Sequence, residues 1–141
     1  MKLLVTGGLG FIGSNFILKT LHENEGFDIV NVDAELAGSN IKNLSQVKNL
    51  KNYEYVKGNI TNRKLMEDLI KNCDVVVNFA AESFVDRSIN DANPFLVSNI
   101  RGAYTILDII TKQKKRMIQI STDEVFGSLS KETATEESKF N

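Results

Sequence analysis

Near the N-terminus, the run Thr6-Gly7-Gly8-Leu9-Gly10-Phe11-Ile12-Gly13 restricts the fold more than any other feature of the chain. The short apolar run Leu3-Leu4-Val5 precedes it. Ile12, Phe16, Ile17 and Leu21 follow at close to helical spacing. A strand that enters a glycine cluster and leaves as a helix is the opening of a βαβ unit. The remaining apolar segments agree. Asp28 to Asp33, Tyr53 to Lys57, Val75 to Phe79 and Met117 to Ile120 read as strands. Between them the pattern predicts helices from Phe11 to Asn24, through Ile41, Leu44, Val47 and Leu50, from Asn62 to Asn72, and from Phe95 to Lys112. Val75-Val76-Val77 is a continuous β-branched run of the kind buried on both faces. Pro94, the only proline, stands just before the long helix, where its missing N–H costs little.

Five strands joined by helical crossovers predict an α/β fold, a Rossmann-type doubly wound parallel sheet with helices on both faces. The 141 residues suffice for one domain. Residues 1–127 are expected to form it, and 128–141, polar and without a core pattern, to be irregular. In such sheets ligands bind beyond the carboxyl ends of the strands. The glycine string holds two overlapping patterns, G-x-G-x-x-G at Gly8, Gly10 and Gly13, and G-x-x-G-x-x-G at Gly7, Gly10 and Gly13. Either lets a pyrophosphate approach the backbone at a helix N-terminus, whose free N–H groups and dipole favour an anion. A glycine-rich turn without a ligand is the alternative.

Asp33 ends the second strand, 20 residues after Gly13, the spacing of the acid that bonds an adenosine ribose 2′-hydroxyl. A carboxylate there repels a 2′-phosphate, and Ala34 beside it supplies no cation, so NAD is expected over NADP. An aspartate that merely caps the following turn is the other reading. Past the third, fourth and fifth strands stand Gly58-Asn59-Ile60, Ala80-Ala81-Glu82-Ser83 and Ser121-Thr122-Asp123-Glu124. Asn59 could place a carbonyl near an adenine amino group, and Ala80 and Ala81 are small enough for a flat ligand to lie against backbone. Asp123 and Glu124 are adjacent carboxylates at a strand end, where different surroundings could make one an acid and the other a base. On spacing alone, a turn or helix cap is the commoner use of such a sequence.

Composition narrows the class. Seventeen Lys and Arg face eighteen Asp and Glu, a net charge of −1, which gives no basic footprint for nucleic acid or a membrane surface. No apolar run approaches the ~18 residues of a membrane span, and the N-terminal apolar stretch is shorter than a secretory h-region. A single cysteine, Cys73, allows no internal disulfide, and with the single histidine, His22, it does not make a zinc site. A cytoplasmic, metal-free protein is expected.

The strings TGGLGFIGSNF, FAAESFVDRSI (Phe79 to Ile89) and ISTDEVFG (Ile120 to Gly127), with Asp33 between the first two, resemble the extended short-chain dehydrogenase/reductases. Within that group they look most like the dTDP-glucose 4,6-dehydratases, and the resemblance covers the whole chain. Related sugar-nucleotide epimerases usually carry a serine and small residues where Thr122-Asp123-Glu124 stand. The resemblance implies that Phe11 and Ile12, with Gly7, Gly10 and Gly13, line the pyrophosphate of NAD. It implies that Asp33 holds the ribose, Asn59 and Ile60 the adenine side, and Phe79, Ala80, Ala81, Ser83 and Ser98 the rest of the cofactor. Ser83 would also lie near a nucleotide-sugar substrate. Thr122 would bond the sugar, Asp123 would protonate the departing C6 hydroxyl, and Glu124 would remove the C5 proton.

The chain departs from the family pattern at several points. Phe84 stands for the usual histidine, Phe126 for tyrosine, Asn59 for a common aspartate, and Ala34 and Ala37 for lysine and tyrosine. The family's catalytic Tyr-x-x-x-Lys pair is expected just beyond the segment resembling 132–141. Of Tyr53, Tyr55 and Tyr104, only Tyr53 has a lysine four residues on, Lys57, and that pair falls in a predicted strand. The resemblance therefore implies the N-terminal, NAD-binding portion of a nucleotide-sugar dehydratase, inactive as this chain alone. A non-catalytic dinucleotide-binding module and a portion of a related epimerase are the alternatives. The apolar positions between Phe95 and Lys112 exceed one core-facing stripe. The matching family helix lies in a dimer interface, so a homodimer through this helix is implied.

Overall fold

The computed structural model describes residues 1–23, 25–128 and 133–141. Five parallel strands, β1 (Lys2–Thr6), β2 (Asp28–Asp33), β3 (Tyr53–Lys57), β4 (Val75–Asn78) and β5 (Arg116–Gln119), form one sheet in the order β3-β2-β1-β4-β5. Side chains alternate between its faces. Leu3, Val5, Ile29, Val75 and Val77 pack on one face against Ile17, Leu44 and Val47. Leu4, Val30, Val32 and Val76 pack on the other against Met66, Ile70, Ile106, Ile109 and Ile110. Helix α1 (Phe11–Glu23) thus covers the first face, while α2 (Arg63–Lys71) and α5 (Ala103–Gln113) cover the second. The crossovers reverse direction between β1 and β4, so the crevice at their carboxyl ends is the topological switch point. No helix among the described residues is long and apolar enough to cross a membrane.

The expected strands and the α1, α2 and α5 regions are present, with shifts of a residue or two at their ends. Asn24, the expected end of the first helix, lies outside the described residues, as do Leu129 to Glu132 of the expected polar tail. The segment through Ile41, Leu44, Val47 and Leu50 is not an α-helix. A 3₁₀ turn spans Ile41–Leu44, and turns continue to Asn49. The apolar residues recur every third position, which matches three residues per turn rather than 3.6. Val47 N–H donates to Leu44 at 3.1 Å and Leu50 N–H to Val47 at 3.0 Å, both three residues back.

The long helix is also modified. It starts as α4 (Asn93–Phe95), widens into a π-helical segment (Leu96–Gly102), and continues as α5. Gly102 lets Ile60 in, since a Cβ there would lie 2.4 Å from Cδ1 of Ile60. A short helix, α3 (Val85–Asn90), precedes it. It buries no side chain, so apolar periodicity gave no sign of it. At the sheet edge β5 is largely exposed, with Ile118 at 54%. Residues 133–141 carry no helix or strand. Phe140 packs on Phe126 at 5.7 Å between ring centroids, and Asn141 N–H donates to Val125 at 3.0 Å.

Candidate functional site

Beyond the carboxyl ends of the strands lies a cleft of about 810 Å³. Its first wall is the loop from β1 to α1. Gly7 has φ +70°, and a Cβ there would meet the Ala80 nitrogen at 2.6 Å. A Cβ on Gly13 would meet the Gly7 carbonyl at 2.5 Å, whereas one on Gly10 would meet only that carbonyl, at 3.3 Å. These are three distinct jobs: Gly7 makes the tight turn, Gly10 leaves backbone open to a ligand, and Gly13 seats the helix against the strand. The structure therefore selects the Gly7, Gly10, Gly13 pattern. Gly8 serves packing, because a Cβ there would overlap the Asn31 carboxamide at 2.2 Å.

Gly10, Phe11 and Ile12 line the cleft, and the first turn of α1 carries no acidic residue. The Ser14 N–H makes the first intrahelical bond, to the Gly10 carbonyl at 3.0 Å, and the N–H groups ahead of it in the helix lack intrahelical partners. No lysine, arginine or histidine is among the described lining residues, but the carboxylates Asp33, Glu82, Asp123 and Glu124 are. A phosphate-bearing ligand must therefore be met by backbone N–H groups and the helix dipole. The residues fit a dinucleotide on these grounds.

Asp33, 5% exposed, both lines the cleft and ties its walls together. One carboxylate oxygen accepts from Leu9 N–H at 3.0 Å; the other accepts from Glu35 N–H at 2.8 Å and the Ser39 hydroxyl at 2.7 Å. The turn-capping reading of Asp33 is thus realised, and the same carboxylate lines the cleft. A carboxylate offers about four acceptor sites, so one remains. Beside it Glu35, at φ +54°, pairs with Lys57 and accepts from the Tyr55 hydroxyl at 2.8 Å. Lys57, and then that hydroxyl, hold the Glu35 carboxyl below its usual range. Burial and Glu35 push the Tyr55 hydroxyl up.

The Asn59 side-chain oxygen is engaged within its own turn. Its Oδ1 accepts from the Thr61 N–H at 2.9 Å and the Thr61 hydroxyl at 2.8 Å. Both lone pairs are spent in this turn, leaving the amide N–H as the side-chain group free to bond a ligand. Ile60 closes the cleft behind it.

The second wall follows β4. A polar ladder fastens three strand ends here. The Thr6 hydroxyl donates to Oδ1 of Asn78, and Nδ2 of Asn78 donates to Oε1 of Gln119 at 2.8 Å. Phe79, Ala80, Ala81, Glu82 and Ser83 then run along the cleft. Asn99 clamps this run: its Oδ1 accepts from Glu82 N–H at 2.8 Å and its Nδ2 donates to the Glu82 carbonyl at 2.9 Å. Asn99 and the lining Ser98 belong to the π-helical segment. Phe84 carries Arg87 over its ring at 4.8 Å and faces Gly38 of the opposite wall.

At the far end Thr122 caps a 3₁₀ turn (Asp123–Phe126), its hydroxyl accepting from Glu124 N–H at 3.1 Å and donating to Asp123 at 3.2 Å. The cap reading of this segment holds, and Thr122, Asp123 and Glu124 also line the cleft. Every site residue expected from the sequence lines it except Gly13, which lies behind the loop. Sequence reasoning missed Ser39, Asn78, Asn99 and the Glu35–Lys57 pair. Their bonding depends on which strands are neighbours and on the π-helical register, neither of which local spacing reveals.

Several of the curated relatives bear the name dTDP-glucose 4,6-dehydratase. The Low-salt glycan biosynthesis protein Agl12 of Haloferax volcanii is 45% identical over 130 residues, 92% of this chain and 42% of its own length. A crystal structure of dTDP-glucose 4,6-dehydratase from Bacillus anthracis in complex with NAD matches with TM-score 0.88 and 41% identity, covering 100% of this chain and 44% of that one. The dTDP-glucose 4,6-dehydratase DesIV of Streptomyces venezuelae, solved with NAD bound, gives TM-score 0.93 at 35% identity over 100% and 45%. The chain spans about two fifths of the length of the curated relatives it matches. The family model described as GDP-mannose 4,6 dehydratase matches residues 4–141. The sheet order, the glycine cradle and these matches agree: the chain belongs to the GDP-mannose 4,6 dehydratase family.

Proposed function

We propose that this chain is the NAD-binding portion of a nucleotide-sugar 4,6-dehydratase that acts on dTDP-glucose. The observation that carries the reading is the single cleft onto which the open backbone at Gly10 and the Thr122-Asp123-Glu124 turn both face. The dehydratases of Bacillus anthracis and Streptomyces venezuelae, alike in fold over the whole chain, were solved with NAD. Gly7, Gly10, Phe11 and Ile12 take the pyrophosphate, Asp33 the adenosine ribose, and Asn59 and Ile60 the adenine side. Phe79 to Ser83, with Ser98, flank the remainder. NAD, when bound, would supply the chemistry of reversible hydride transfer with the sugar. Thr122 orients the sugar, Asp123 gives a proton to the departing C6 hydroxyl, and Glu124 takes the C5 proton. No tyrosine is among the described lining residues. Tyr53 and Tyr55 lie in β3, and Tyr104 is exposed on α5. The tyrosine that the resemblance makes the opening base at the C4 hydroxyl is therefore not among the described residues of this cleft, and such a group is worth ~10²–10⁴-fold in rate.

A homodimer through the helix from Phe95 to Lys112 is part of the proposal, supported by its exposed apolar stripe. So is a cytoplasmic location, where pyridine nucleotides and sugar nucleotides are both at hand. The test is a calorimetric titration of the chain with NAD and with NADP, followed by incubation with dTDP-glucose. Tighter binding of NAD without 4-keto-6-deoxy product is the expected result. Tighter binding of NADP overturns the cofactor assignment, and product at a full-length relative's rate overturns the claim that the opening base is missing.

A further inference from the structure

We infer that Glu35 and Lys57 form a latch that sets the nucleotide preference of the cleft, a deepening of the NAD-binding reading on which it rests. The sheet register puts Lys57 directly opposite Asp33 across the β2–β3 pair, about 4.8 Å away in backbone spacing. A lysine stem spans that gap easily. Left to itself, Lys57 is a cation beside the carboxylate expected to meet the ribose 2′ position, where a 2′-phosphate needs a positive partner. The structure shows it tied elsewhere. Its ammonium pairs with Oε2 of Glu35, whose Oε1 takes the Tyr55 hydroxyl at 2.8 Å. Neither Glu35 nor Lys57 lines the cleft, whereas Asp33, Ala34 and Ala37 do.

The latch is built into the turn. Glu35 sits at φ +54°, a left-handed conformation uncommon for a residue with a side chain, and its N–H donates to Asp33 at 2.8 Å. The residue that faces the ribose thus also fixes the backbone of the residue that holds the lysine. Stability gives no reason for the pair: the lysine side chain is 66% exposed, and exposed pairs contribute little. Its consequence falls on the ligand. With the ammonium engaged, a 2′-phosphate meets Asp33 uncompensated. With it released, the flexible stem can swing toward the phosphate.

The test titrates the chain and its Glu35→Gln, Lys57→Met and Glu35→Gln/Lys57→Met variants with NAD and NADP by calorimetry. Glutamine keeps the shape of the turn residue and removes its charge. Expected for Glu35→Gln is a tenfold or greater rise in the NADP-to-NAD affinity ratio, shrinking as salt is added. The double variant should fall back toward the parent ratio, and Lys57→Met alone should not raise it. An unchanged ratio in Glu35→Gln, with NAD still bound, overturns the latch and leaves the NAD reading intact. An equal rise in the double variant overturns the part given to Lys57. A parent chain that binds neither nucleotide overturns both readings. Should Glu35→Gln fail to fold, as judged by its melting curve, Lys57→Met decides: a ratio raised above the parent's overturns the latch, and one at or below it supports it.

Discussion

A Cβ at Gly10 and a Cβ at Gly13 would fail in different ways. At Gly13 it collides with backbone at 2.5 Å, and backbone cannot yield as a side chain can. At Gly10 it meets only the Gly7 carbonyl, at 3.3 Å, a close contact that a shift of a few tenths of an ångström relieves, and it enters the ligand's path. Gly13→Ala should therefore lower stability, by about 1–3 kcal/mol as for other overpacked sites, read as a lower denaturant midpoint. Gly10→Val should keep a cooperative unfolding transition close to that of the parent and lose NAD binding in calorimetry. The sequence displayed both glycines in two patterns of equal standing, and the choice needed the positive φ of Gly7 and the open side of Gly10. Asn59 shows the same limit. Its type and place were legible, but the loss of its oxygen to Thr61 depends on a turn two residues long. Asp33 was legible in position and spacing, while Ser39, its partner at 2.7 Å, carried no pattern.

Among elements, the strands were the most legible because each is a short apolar run flanked by turn residues. Helical segments were misread where their period is not 3.6. The third-position spacing from Ile41 to Leu50 was visible and belongs to a 3₁₀ chain. The π-helical widening at Leu96–Gly102 was not, since the Asn99 clamp on Glu82 that accompanies it joins residues 17 apart in the chain. Elsewhere elements are joined by charge. Asp108 on α5 accepts from Lys112 at 2.9 Å and from Arg63 on α2 at 2.6 Å. Lys112, then Arg63, hold its carboxyl below the ordinary aspartate range. A carboxylate with a lowered folded pKa contributes stability above its unfolded value, ~3.9, and loses it as pH falls through the folded value. The melting temperature of the parent should exceed that of Asp108→Asn at pH 6, and the gap should close below about pH 4 and in high salt. A gap that widens on acidification contradicts the pairing.

For the molecule as a whole, the doubly wound parallel sheet and the position of the cleft followed from the alternation of strands and crossovers. The open surfaces were only partly legible. The excess of apolar residues on the long helix was visible, but which of them face outward was set by the π-helical segment. Leu96 (55%), Ile100 (62%), Tyr104 (63%) and Leu107 (52%) form the exposed stripe. Contiguous apolar surface of this kind marks an association site. Light scattering should show a dimer or larger species, and Leu96→Lys with Ile100→Lys should shift it to monomer. A monomeric parent at high concentration refutes the interface. The central position of β1 has a consequence in time. Its pairing with β2 joins Leu3 to Ile29, but its pairing with β4 joins Leu3 to Val75, and Lys2 N–H reaches Asp74 across 72 residues of chain. Long loop closures of this kind are entropically costly and slow. The two walls of the cleft stand on opposite sides of that seam, so the wall after β4 meets the glycine loop only when this longest closure is made.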